Sequence, residues 1–354
     1  MSKKNKSIKI MSLLLSLILG MTGIIYIYSY LKKASLIKSP FDGSQITYSS
    51  NADDFEVALH DNDEKLEEKI NEIRKNNGNS KKIACILYSN LLENKGLLDS
   101  EKKNLEKFCQ YFVDNKYLDY ENVCRKLATF IINENDESLL EENIGAAYYE
   151  DNSITFATQA ERDNSMPHEL FHCIENENLS YEEYAWFIEG LVCTLHYEYF
   201  NNELDGSYMQ VNFIRALCEI VDPDVLFKVS ATGEMEHLIE ALKEKGISEK
   251  KITQFCSLCK DYQCADSLGS EGKDEICIDI ADCLVDMYVA AYNDTDSVSD
   301  LFYNILERIT DPSITTPYDY YYFNGSKKSE NEQKTFSVNK EQLFIFKKSN
   351  KIIS

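Results

Sequence analysis

The chain has 354 residues, 44% of them hydrophobic, which is enough apolar material for one sizeable core. Its 13 glycines and 5 prolines are too few for a disordered or turn-rich all-β chain, so the fold class expected is mainly α (α+β). The formal net charge is −23, and six lysines without an acid in residues 1–33 leave the remainder more acidic still, which excludes the cationic footprint that nucleic-acid binding needs.

Lys3, Lys4, Lys6 and Lys9 precede an uncharged run from Ile10 to Leu31, closed by Lys32 and Lys33. That run is long enough to cross a hydrocarbon layer of about 30 Å as a helix. Tyr26, Tyr28 and Tyr30 cluster at its far end, where amphipathic rings favour the interface. A cleaved signal peptide would have a shorter apolar core and a small-residue cleavage site. The expectation is therefore an uncleaved transmembrane signal anchor at 10–31. The excess of lysines before it puts residues 1–9 in the cytoplasm and the rest outside, on the cell membrane.

Residues 32–60 read as a polar linker, punctuated by Ser39-Pro40 and Asp42-Gly43-Ser44. Helical periodicity begins near Asp61, with Leu66, Ile70 and Ile73 on one face. Ser100 opens a second helix, striped by Leu105, Phe108, Cys109 and Phe112. A third carries Val123, Leu127, Phe130 and Ile131. The pattern then changes to a β-hairpin. Ala146–Tyr149 and Ser153–Phe156 flank the turn Glu150-Asp151-Asn152, and the second strand is the candidate edge for pairing with an extended substrate. Helices resume to about Tyr292. This gives a domain over 61–310, with a helical part 61–140, a metal-site part 146–220 and a helical part 221–310. A polar tail follows over 311–354, with a late strand at Gln342–Phe346. The chain has 11 cysteines without the spacing of a disulfide framework. Cys256-x-x-Cys259 completes no four-cysteine zinc pattern, and thiols such as Cys124 and Cys193 sit among apolar residues as small hydrophobes.

The segment His168-Glu169-Leu170-Phe171-His172 carries the chemistry. On a helix, His-Glu-x-x-His sets two imidazoles one turn apart on one face, where both can bind a single Zn²⁺ beside the intervening glutamate. Ser165 is the expected helix cap, with Pro167 in the first turn. Zinc needs a third protein ligand. A third histidine of the metzincin kind would require Gly at 175 and His at 178, but the residues are Glu175 and Asn178. The other source is a glutamate from a following helix. Ser180-Tyr181-Glu182-Glu183 has capping-box spacing, and Ala185, Ile188, Val192 and Leu195 form the stripe behind it. Glu189 lies on or beside that stripe, where an unpaired carboxylate would be costly to bury. Glu182 and Glu183 are the rival ligands. Glu169 is the expected general base, and Tyr208 or His196 the donor to the oxyanion.

His168-Glu169-x-x-His172 followed by Trp186-Phe187-Ile188-Glu189-Gly190-Leu191 resembles the gluzincins, the thermolysin-like zinc metallopeptidases. The stretch from Asn62 to Leu242 is also similar to membrane-anchored, gluzincin-like proteins of low-GC bacteria. The resemblance implies a zincin-like catalytic domain that acts on peptide or protein substrates. His168, His172 and Glu189 would be zinc ligands and Glu169 the catalytic acid/base. Two departures stand out. The interval from His172 to Glu189 is slightly shorter than in thermolysin-like enzymes, and Cys193 stands where many gluzincins place an acidic residue. The alternative reading is a catalytically degenerate zinc-binding ectodomain that acts as a binding or sensing module.

Overall fold

Helix α1 (Ala52–Lys75) opens the part of the chain that the computed structural model describes: residues 52–142, 144–201, 209–265, 269–292, 297–311, 313–314, 320–324 and 337–339. The anchor at 10–31 and its flanks 1–9 and 32–51 lie outside the described residues, as do Tyr208 and the late strand at 342–346. Among the described residues no helix is long and apolar enough to cross a membrane. The chain divides into two units, Met1–His60 and Asp61–Ser354, and all that follows concerns the second.

Asn79 caps α2 (Ser80–Glu93), its side chain accepting from the Lys82 amide, which satisfies one of the orphan donors of a helix start. The single helix expected from Ser100 is broken into α3 (Asp99–Lys102), a 3₁₀ turn (Leu105–Lys107) and α4 (Phe108–Asp114). The chain tightens at Asn104, whose amide donates to the Glu101 carbonyl three residues back. Asp119 caps α5 (Tyr120–Thr129).

The expected hairpin forms as β2 (Ala146–Tyr149) and β3 (Ser153–Phe156), with Ala146 opposite Phe156 and Tyr149 opposite Ser153. Asn152 takes a left-handed φ of 62°, which asparagine tolerates in a tight turn, and donates its amide to the Tyr149 carbonyl. A short β1 (Ile131–Ile132) pairs in parallel with β3, so the sheet order is β1-β3-β2. This corrects the expectation for the substrate edge. Ser153–Phe156 is the buried central strand, and the edge strands are Ile131–Ile132 and Ala146–Tyr149.

The sheet leads into α6 (Gln159–Ile174), which carries the His-Glu-x-x-His segment. Its cap is Thr158, which accepts from the Glu161 amide, and Ser165 lies well inside the helix. Pro167 is also internal and forgoes one helical hydrogen bond just before His168. Arg162 anchors this half of α6 by donating to the Glu101 carboxylate and the Gly96 carbonyl. Phe171 anchors the other half against Phe108 and Tyr111 of α4, with ring centroids 4.8 and 4.9 Å apart.

Helix α7 (Tyr181–Phe200) is buried along most of its length. Ser180 is its N-cap, but the side chain makes no capping hydrogen bond. Gly190 admits α8 (Met209–Cys218) close to α7: a Cβ there would stand 2.8 Å from the Gln210 carbonyl oxygen and 2.9 Å from Ile214. Asp222 then caps α9 (Pro223–Thr232), followed by α10 (Glu236–Glu244), α11 (Glu249–Cys264), α12 (Gly269–Tyr292) and α13 (Asp300–Thr310). None of the 11 cysteines is joined in a disulfide. Burial raises the pKa of Cys256 to about 11 and lifts that of Cys259 well above its ordinary value, so both stay protonated packing groups at neutral pH.

Behind α7, a strap of residues 320–324 enters the core. The fully buried Glu198 carboxylate accepts the backbone amides of Tyr322, Phe323 and Asn324 and pairs with fully buried Arg215 at 3.2 Å. Arg215 also donates to the Tyr320 carbonyl. Removing one partner of such a pair strands the other charge. Arg215→Met should therefore lower the unfolding free energy by about 3 kcal/mol in urea titration, the low end for a buried pair because Glu198 keeps its backbone donors.

Candidate metal centre

His168 and His172 sit one turn apart on α6, and their Nε2 atoms are 3.2 Å from each other. Helix α7 crosses this face and brings in Glu189. Its Oε2 is 3.6 Å from His168 Nε2, and its Oε1 is 3.6 Å from His172 Nε2. Ligands about 2.0–2.1 Å from a tetrahedral zinc ion lie roughly 3.3 Å from one another. The two nitrogens and the carboxylate match that spacing to a few tenths of an ångström, so the cluster is geometrically compatible with zinc.

The second ring nitrogen of each histidine faces a different group. Glu175 Oε2 lies 3.4 Å from His172 Nδ1, and its other oxygen accepts from the Ser230 hydroxyl at 3.3 Å. Cys193 Sγ lies 4.0 Å from His168 Nδ1. Cys193, His168 and Glu189 also offer ligand atoms within 4.8 Å of one another. The thiol nevertheless approaches the nitrogen turned away from His172, which is the place of an orienting partner.

Charge balance in this cluster is tight. Burial disfavours a protonated His172, but Glu189 and Glu175 outweigh it and raise its pKa to about 10. Burial likewise disfavours an ionised Glu189, and the two histidines overcome it, holding that carboxyl well below its usual range. Glu175 is raised by burial, against the pull of His172.

Glu169 points into the same cavity and is only 4% exposed. The cavity holds about 830 Å³ and is lined both by His168, His172 and Glu189 and by Ala146–Tyr148 of β2. Tyr181 stands at its wall, its hydroxyl donating to Glu189 Oε1 at 2.8 Å. Of the candidate oxyanion donors, His196 is buried at 2% exposure with its ring edge-on to His168, and it does not line the cavity.

Comparisons with protein-family models, with curated proteins and with solved structures find no match for this chain. The site classifies itself by its own arrangement. His168-Glu169-x-x-His172 with Glu189, clustered with a cysteine, matches the spacing and geometry of a gluzincin zinc-protease site.

Sequence reasoning missed Glu175 and Tyr181. The signal for Glu175 was its position three residues after His172, on the neighbouring face of the same turn. Glu175→Gln should weaken zinc binding by about 10–100-fold in chelator competition, the usual cost of removing a partner that orients a ligating histidine.

Proposed function

We propose that the chain is a zinc-dependent metallopeptidase, anchored by residues 10–31 with its catalytic domain outside the cell. One observation carries this reading: two imidazoles and a carboxylate converge beside a separate, buried carboxylate that lines the same cavity. His168, His172 and Glu189 would hold the zinc ion. When bound, zinc supplies Lewis acidity and lowers the pKa of a water molecule. Glu169 takes the proton of the attacking water and delivers it to the leaving amine nitrogen. Glu175 and Cys193 fix the rings of His172 and His168 from behind.

An extended peptide suits this cavity because an edge strand forms one wall. The Gly145 carbonyl accepts from the Ala157 amide across the hairpin. By the alternation of an antiparallel ladder, Ala147 and Tyr149 also face β3, while the amides and carbonyls of Ala146 and Tyr148 face away from it. These outward groups are available for pairing with substrate backbone. Ala146→Pro deletes one outward amide and leaves the ladder intact, so KM should rise about tenfold with kcat nearly unchanged, the worth of one hydrogen bond.

The test of the whole reading uses the full-length protein in detergent. It should contain about one zinc per chain and should hydrolyse denatured casein or a peptide library. Absence of zinc, together with absence of hydrolysis that depends on Glu169, would sink it.

A further inference from the structure

Glu161 stands in the first turn of α6, seven residues before His168. Seven helical residues end about 20° short of two full turns, so the two side chains share a face, about 10 Å apart along the axis. Ser165, His168, Glu169 and His172 continue that stripe, and all of them line the cavity with Glu161. Because Thr158 is the N-cap, Glu161 occupies the place from which a capping box would send its carboxylate back to the cap's amide. It makes no such bond. Among the described residues its carboxylate has no hydrogen-bond or ion-pair partner. Its Oε2 lies instead against Gly145, at the start of β2, where a Cβ would stand 2.8 Å from it.

The charge of the cavity wall gives this carboxylate a task. Among the described residues no lysine or arginine lines the cavity. The neighbouring Arg162 is already committed to the Glu101 carboxylate and the Gly96 carbonyl. Glu169 and Glu189 together offset the two positive charges of a zinc ion held by His168, His172 and Glu189. Glu161 therefore leaves the wall with a net negative charge, at the end where the outward groups of β2 begin.

We propose that Glu161 determines specificity by binding the cationic side chain of a lysine or arginine in the substrate, about three residues from the scissile bond. The inference rests on the peptidase reading above. An extended chain advances about 3.3 Å per residue, so three residues span the 10 Å between Glu161 and the metal end of the stripe. The ammonium or guanidinium N–H groups donate to the Glu161 carboxylate, and the pair forms beside the edge strand that would hold the substrate backbone. A substrate acidic at that position would meet a like charge and be rejected.

The test uses the full-length protein in detergent and peptides acetylated at the amino terminus, built around a bond that the library screen shows to be cleaved. One lysine is moved along each peptide and compared with norleucine at the same position. Lysine about three residues from the bond, on one side of it, should raise kcat/KM about tenfold over norleucine, the low end for a hydrogen bond to a charged group because Glu161 is only half-buried. Glu161→Gln should bring that ratio to about one, and Glu161→Lys should invert it in favour of glutamate at the same position. Equal losses on the lysine and norleucine peptides, with the ratio kept, would overturn the proposal, because Glu161 would then serve only the shape of the wall. A preference confined to peptides with a free amino terminus would also overturn it, since the cation read would be the α-ammonium. The same ratio is read without turnover, as the affinity of the two peptides for zinc-loaded Glu169→Gln protein. If wild type shows no Glu169-dependent hydrolysis, the peptidase reading fails, and these affinities, measured on the same library peptides, decide the cation site by themselves: about tenfold for lysine supports it, and equal affinities overturn it.

Discussion

Glu169→Gln should lower kcat by a factor of about 10²–10⁴, the usual contribution of a positioned acid/base group, while leaving the zinc content at its wild-type value. The change is nearly isosteric, so the cavity wall beside His168 keeps its shape. The Nε2 atoms of His168 and His172 and the two Glu189 oxygens form the cluster without any help from Glu169. Glutamine can donate or accept a hydrogen bond but cannot take a proton from water at neutral pH. The rate should therefore fall and the metal should stay. Elemental analysis and single-substrate kinetics on the same preparation separate the two. An unchanged rate would end the role of general base. Zinc retained with no hydrolysis in either protein would favour the degenerate, binding or sensing ectodomain, a reading that Cys193 at an acid's usual place had already raised.

Much of this site is legible in the sequence because its two main constraints are local. His-Glu-x-x-His specifies its geometry through helical spacing alone. The hairpin announces itself through two short apolar-rich runs around Glu150-Asp151-Asn152, and Asn152 supplies the left-handed turn residue. Glu189 was reached by a burial argument, and the structure places it 3.6 Å from both histidines. What stayed hidden depends on tertiary contacts or backbone geometry. Tyr181 reaches the site only through a break at Tyr184 that no residue pattern signals. Thr158 caps α6 because the hairpin ends there, whereas Pro167 suggested a later start. Helix α7 is buried on nearly all sides, so its periodicity could not show that Glu198, two and a half turns past Glu189, faces a strap from residues 320–324. That strap reads as polar, and what Glu198 binds is its backbone amides, which a side-chain pattern does not report.

Glu189→Gln should weaken zinc binding by about 10²–10³-fold, since a structural zinc site gains about 10–16 kcal/mol from three or four ligands and a neutral amide replaces a charged one. The pH dependence of that affinity should change as well. In the metal-free protein His172 has its pKa raised to about 10, held up chiefly by Glu189 against the effect of burial. A metal must displace that proton, so wild-type affinity should climb with pH across the neutral range and level off as pH approaches 10. Without the Glu189 charge the His172 pKa falls, fewer protons remain to be displaced near neutrality, and the slope against pH should flatten. Thermal unfolding gives an independent reading: a ligand that binds only the native state raises Tm, so a chelator should lower the wild-type Tm and lower that of Glu189→Gln by less. An affinity within about threefold of wild type would remove Glu189 from the ligand set. If Cys193→Ser weakened zinc instead, the ion would belong to His168 and the thiol that lies 4.0 Å from its Nδ1, and the catalytic geometry drawn around Glu169 would have to be abandoned.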